Sequence, residues 1–241
     1  MQLVANQQLV RNRVRLGIGF HLSALAVFAV GLALSLQTDT SRELPLASWL
    51  TILLGLVLYT VGQTQLRRWG PRNRQDEQLG QAIRSLDDRY KLYAFLSPSL
   101  PDYVLVSPAG VHTLVVRREA GQVACVRDQW RRPGGSRFAS LFGPSLGNPS
   151  GDAARDLQRL QALLTNHGLP EVPVSALVVF TNPRVQLRVE GCTTTVTRVK
   201  ELKDVLRRMA GKGQNVALTT ARVREVQRLL DERMQAAPRW R

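Results

Sequence analysis

Between Leu16 and Leu66 lie 51 residues whose only charged side chains are Asp39, Arg42 and Glu43. Elsewhere the chain is rich in charge: Asp, Glu, Lys and Arg make up 21% of its 241 residues. A uniformly water-soluble fold has no use for so long an oily stretch. It divides into two runs without Asp, Glu, Lys or Arg: Leu16 to Leu36 and Leu46 to Leu66, each of 21 residues. As a helix, such a run is about 31 Å long, one bilayer core. The second run has its oily centre at Trp49–Tyr59, and Gln63, Thr64 and Gln65 form its wet end. Residues 37–45 join the two. Backbone groups in lipid must be hydrogen-bonded within their own segment, so the expected structure is a transmembrane helical hairpin.

The flanks give an orientation. Arg11, Arg13 and Arg15 precede the first run with no acid among residues 1–15, and Arg67, Arg68, Arg72 and Arg74 follow the second. The joining loop carries a net −1. Arginine on both outer flanks predicts a two-pass protein of the plasma (inner) membrane with both termini cytoplasmic and lipid as its first partner. A cleaved signal peptide is disfavoured: the first run exceeds a typical h-region and a second span follows. Ala29 and Ala33, with Gly31 between them, are small enough for close helix packing, but ordinary lipid-facing residues are the expectation. His21 reads as an interfacial histidine. Neither span holds an acid, so nothing points to a channel or pump.

Residues 75–241 carry 25 basic and 16 acidic residues and are long enough for one domain with its own core. The division is therefore a hairpin with basic flanks at 1–74 and a cytoplasmic α/β domain at 75–241. Apolar spacing predicts a helix over 77–88, then consecutive antiparallel strands at 103–106, 111–116 and 121–126. The segment 131–149, rich in Gly, Pro and Ser, reads as an exposed loop. A helix is expected over 152–166, a strand covered on both faces over 174–180, short edge strands at 185–189 and 193–197, and helices over 199–209 and 220–235. The fold class is α/β with a mixed sheet.

One window carries chemistry: Pro101-Asp102, then Val115-Val116-Arg117. Restriction-endonuclease-type nucleases place a Pro-Asp ahead of a Glu/Asp-x-Lys strand. Two carboxylates at adjacent strand ends hold Mg²⁺, a hard cation that wants oxygen ligands. The lysine two residues on faces the same side and orients the attacking water. The run from Asp102 through Val111 to Val116, then Gly121-Gln-Val and Trp130, resembles the nuclease-related domain, NERD. Val172-Pro-Val, Val178-Val-Phe-Thr-Asn182 and Asn148-Pro149 before a helix are similar to later segments of that family. The resemblance covers about residues 77–210 and implies a relative of the PD-(D/E)xK nuclease fold. It implies Asp102 as first metal carboxylate and Glu77 or Gln78 at the position of a helix-borne acid. The departures matter more. Val115 stands at the Glu position, and Arg117, which hardly deprotonates, at the Lys position. The implied domain is catalytically degenerate, and no cofactor is expected.

Asp102, Arg117 and Glu119 nonetheless form the candidate catalytic set, because Glu119 shares strand parity with Val115 and Arg117. Asp87 and Asp88 are further possible migrants, though a helix surface is their plainer role. Asp102 would hold Mg²⁺ only if this set is active, and a turn-capping role is the plainer reading of it too. Arg117, Arg118, Arg127, Arg131 and Arg132 are the candidate phosphate binders, Arg137 lies in the same stretch, and Arg222, Arg224, Arg228 and Arg233 line the last helix. Twenty-nine arginines against four lysines give a net +15, so a merely solvated basic surface competes with nucleic acid and anionic lipid headgroups as explanations. Cys125 and Cys192 read as separate buried thiols rather than a redox pair. His112 and His167 lack a nucleophile partner. The expected function is binding or scaffolding at the cytoplasmic membrane face, with nucleic acid as the candidate ligand. A Mg²⁺-dependent nuclease using Asp102 and a relocated carboxylate, and a structural membrane component binding another protein, are the alternatives.

Overall fold

The computed structural model describes residues 1–36, 44–70, 75–133, 146–212 and 218–235. Arg72, Arg74, Arg137 and most of the joining loop lie outside them. The chain forms two compact units, one from the two long helices and one from residues 1–6 with the chain from Gln75 onward.

In the first unit α1 (Gln7–Leu36) and α2 (Leu44–Trp69) run antiparallel. Both are long and apolar enough to cross a membrane. Their outward surface is oily all round: Leu22, Leu25, Leu32, Leu50 and Leu53 are more than half exposed. Thr60 and Thr64 donate their hydroxyls to the carbonyls of Val57 and Val61, and Ser35 donates to that of Gly31. The seam uses other small residues than Ala29 and Ala33, in agreement with the expectation that these two are not packing residues. Ala29 and Ala33 are exposed, whereas Gly17, Ala24 and Gly31, spaced by seven, are buried. A Cβ on Gly62 would meet His21 Nδ1 at 2.3 Å and the Gly17 carbonyl at 3.0 Å, and one on Gly55 would enter the Phe28 ring. His21 is therefore a seam residue. It contacts the Gly17 carbonyl at 3.0 Å and meets Tyr59 edge-on, 5.1 Å between centroids.

The second unit is a mixed α/β fold. Its main sheet has the order β1 (Gln2–Ala5), β2 (Lys91–Ala94), β3 (Tyr103–Ser107), β4 (Gly110–Arg117), β7 (Val174–Phe180), β9 (Thr195–Arg198). β2, β3 and β4 form an antiparallel meander. α4 (Pro149–Asn166) then carries the chain to β7, which lies parallel to β4, as βαβ geometry requires. One face bears Tyr93, Val104, Val106 and Val111 against Leu160 and Leu164 of α4 and Val223, Val226 and Leu230 of α6 (Thr220–Gln235). The other is covered by α3 (Asp76–Ile83), whose Gly80 lies against Leu3, in register with Leu92 and Leu105. α5 (Leu202–Lys212) lies beside α3 and β9. The predicted central strand is β7: Leu177 through Phe180 are fully buried between β4 and β9.

Three differences from the sequence reading have physical causes. Residues 2–5, read as a basic flank, add a parallel edge strand to β2, so the chain passes from this sheet into α1 through Asn6 alone. Lys91–Ala94 is a strand that four residues of apolar pattern are too short to announce. β5 (Gly121–Val126) does not continue the meander. The terminal carbonyl of β4, at Arg117, is taken by the Thr181 N–H (2.8 Å), and the chain bends away. β5 then pairs parallel with β8 (Val185–Glu190) and antiparallel with β6 (Gln129–Arg131), making a separate three-stranded sheet. The parallel partnership of β4 and β7 is thus repeated beyond the bend.

Val178→Asp should abolish folding of this unit, because an unpaired charge in a fully covered strand costs several kcal/mol. Circular dichroism and limited proteolysis check it, and a variant as protease-resistant as the parent would contradict the central position of β7.

Candidate functional site

Asp102 enters β3 at the bend after β2. The bend is made by Phe95, in the left-handed region at φ 59°, whose N–H donates to the Asp102 carbonyl at 2.7 Å. Its ring packs on Tyr103, 5.2 Å between centroids. The β3–β4 register pairs Val104 with Thr113; carried two residues further, it sets Asp102 opposite Val115 on the same face. Val115 is buried with Val123, Ala153, Val178 and Phe180. A magnesium ion needs several oxygen ligands, and these residues do not fit one: a packed valine stands where the second carboxylate would be. Among the described residues no trio of acid, histidine or cysteine ligands gathers around Asp102.

Arg117, at the end of β4, shares that face. Its guanidinium is ion-paired with Asp152 in the first turn of α4, and Asp152 also binds Arg155. Asn148 caps this helix, its side chain accepting from the Gly151 N–H at 3.0 Å, with Pro149 at the first helical position. The Asn-Pro pair singled out in the sequence is thus a helix start that sets Asp152 under Arg117. Arg117 Nε and Glu119 Oε2 are both enclosed without a hydrogen-bond partner among the described residues. On α3, Glu77 and Gln78 are exposed, and the buried acid is Asp76. Asp87 and Asp88 are surface residues paired with Arg89 and the Met1 amine.

The remaining candidate arginines separate into groups. Arg118, Arg127, Arg131 and Arg132 are exposed. Arg127 and Arg131 line a cavity of about 670 Å³ with Val126, Gln129, Glu190 and Gly191, while Arg117 is committed to Asp152. On α6, Arg222 is bridged to Glu171 and Glu225, and Arg233 approaches His167 at 2.9 Å.

Two polar constellations escaped the sequence reading. The first surrounds Asp128, at φ 63° in the β5–β6 turn. Its Oδ1 accepts from the Thr193 N–H (3.1 Å) and the Ser150 hydroxyl (3.0 Å), and Ser150 Oγ accepts from Trp130 Nε1 (2.9 Å). Partial desolvation pushes the Asp128 carboxyl up, but the hydrogen bonds from Thr193 and Ser150 together hold it below the usual range. Beside it Cys125 and Cys192, expected as separate thiols, are joined by a disulfide, with their Cα atoms 6.4 Å apart. Cys125, Asp128 and Cys192 are the one trio of metal-ligand type among the described residues, but both sulfurs are used by the bond. Sequence spacing carries no signal for a pair 67 residues apart.

The second is His112, buried between Ser107 and Ser175, 2.7 Å from each hydroxyl. Ser107 Oγ donates to the Gly110 carbonyl, so it accepts from Nε2–H of His112, and Nδ1 accepts from Ser175. The trio is a strand-pinning network in which Ser107 and His112 are buried and Ser175 is partly exposed. Burial pushes the imidazole down to about 4 from 6.5.

No family model matches the chain, nor does any curated protein or solved structure.

A neutral buried His112 makes stability pH-dependent with a definite sign. Its folded value lies below its unfolded one, so its contribution is complete above pH 6.5 and is lost as pH falls toward 4. The loss should be on the order of 3 kcal/mol. Unfolding free energies at pH 7.5 and 5 should differ less in His112→Gln than in the parent; equal differences would show that His112 is not the titrating group.

Proposed function

We propose that this is a two-pass membrane protein with both outer helix ends in the cytoplasm, carrying a NERD-like, PD-(D/E)xK-related domain that has given up catalysis and binds nucleic acid at the membrane face. The observation that carries the loss of catalysis is the burial of Val115, which the β3–β4 register extended beyond Val104 and Thr113 sets opposite Asp102, with Arg117 ion-paired to Asp152. The membrane reading is supported by the oily outer surface of the hairpin and its self-satisfied hydroxyls. It is supported too by chain connectivity: α1 begins one residue after β1 of the folded domain, and α2 leads back into the same domain. Binding is supported by exposed Arg118, Arg127, Arg131 and Arg132, which would neutralise phosphates without reading bases.

The test incubates the purified full chain in detergent micelles with labelled DNA and RNA, with and without Mg²⁺. Expected are salt-sensitive mobility shifts and no cleavage, with Arg127→Glu/Arg131→Glu weakening binding and lowering the salt slope by about two. Metal-dependent cutting that disappears in Asp102→Ala would replace this reading with the relocated-carboxylate nuclease. Binding only to anionic vesicles would transfer the arginines to lipid headgroups, and neither activity would favour a protein partner.

Topology has its own test. Moving Arg11, Arg13, Arg15, Arg67, Arg68, Arg72 and Arg74 into the joining loop should disturb or invert the hairpin in a protease-protection assay. An unchanged pattern would count against the charge rule as its cause.

A further inference from the structure

We propose that Cys125–Cys192 is a reversible thiol–disulfide couple, opened by a small cytoplasmic thiol at Cys192, whose state controls how firmly the N-terminus of α4 is held. The inference rests on the reading that the domain faces the cytoplasm. There thiols are kept reduced, and a disulfide is usually transient or redox-sensing. A permanently oxidised bond would place the domain on the opposite side, against seven flanking arginines.

The two sulfurs differ in access. Cys125 is in the middle of β5 and fully buried, whereas Cys192 is half-buried in the turn after β8, next to Gly191 at φ 62°. An incoming thiolate therefore attacks Cys192 Sγ. The S–S bond breaks, its electron pair leaves on Cys125, and that sulfur takes a proton from water. A second thiolate attacks the small-molecule sulfur of the mixed disulfide, releasing Cys192 and a symmetrical small disulfide. Two electrons and two protons are transferred, and a low-molecular-weight disulfide reverses the sequence. Reduced Cys192 has an acceptor in place, the Glu190 carbonyl 3.8 Å away. The Asp128 carboxylate within 4.8 Å of both sulfurs favours neutral thiols over the paired thiolates that a metal ion would require.

The consequence runs through contacts already described. The disulfide fixes the turn that presents the Thr193 N–H to Asp128, Asp128 holds Ser150, and Ser150 lies two residues before Asp152, the partner of Arg117. Opening the bond frees the turn and loosens this relay, with Trp130 as its built-in reporter through Ser150.

The full chain in detergent micelles, equilibrated in buffers of graded glutathione to glutathione-disulfide ratio, gives the test. Thiols are counted by maleimide mass shift, and Trp130 emission is taken as the difference from Trp130→Phe. Expected is one two-electron transition in which both thiols are released together, Trp130 emission changes in step, and Tm falls by roughly 5 °C or more on reduction. Cys192→Ser should give the reduced-state emission at every ratio. Asp128→Asn should keep the thiol transition but uncouple it from Trp130. A bond that resists excess dithiothreitol in the native chain overturns the proposal. So do thiols that stay free in disulfide buffer, or a reduced pair that holds one Zn²⁺ and no longer oxidises. Cleavage of nucleic acid would overturn the earlier reading and leave this titration unaffected, whereas an inverted topology would take the bond away from cytoplasmic thiols and overturn both.

Discussion

The parallel pairing of Val111–Arg117 with Val174–Phe180 is the contact on which the domain depends. It closes the crossover through α4 and buries Leu177 to Phe180 completely. It also brings Ser175 to His112. Its end is as important as its length. Where Thr181 takes the last β4 carbonyl, both strands turn away together, and the second sheet grows from the two displaced chains as β5 and β8. The groups of chemical interest gather around that bend: Glu119, Arg117 with Asp152 at the start of α4, and Asp128 beside the disulfide.

The hairpin obeys a different rule. In a bilayer the hydrophobic effect would not drive these helices together, so close approach of backbones would have to supply the contact. Gly62 lies against His21 and the Gly17 carbonyl, Gly17 against Leu66, Gly31 against Thr51 and Gly55 against Phe28, and His21 meets Tyr59 edge-on. Thr60, Thr64 and Ser35 close their hydroxyl hydrogen bonds within their own helices.

In the candidate site, Val115 is packed in an apolar cluster and Arg117 is ion-paired within the domain. Arg117 is held by a carboxylate of the domain, Asp152, which it shares with Arg155. A valine opposite Asp102 joins the apolar cluster of the crossover helix instead of opening a cation pocket. Exposed Arg127 and Arg131, by contrast, keep their charge at the rim of a cavity.

Patterns of period and charge lie wholly in the chain, and they determined the two oily helices, the buried strand at Val174–Phe180 and the crossover helix. The tertiary structure decided everything that depends on pairing between distant residues. It sent β5 to β8 instead of β4, drew Gln2–Ala5 into the sheet, joined Cys125 to Cys192 and gave Arg117 to Asp152. The physical reason is the range of the forces involved. Helix and strand periodicity are local and repeat within a few residues. A parallel neighbour, a disulfide partner or a counter-ion is chosen by closing loops of tens of residues, and no short window of sequence records that choice.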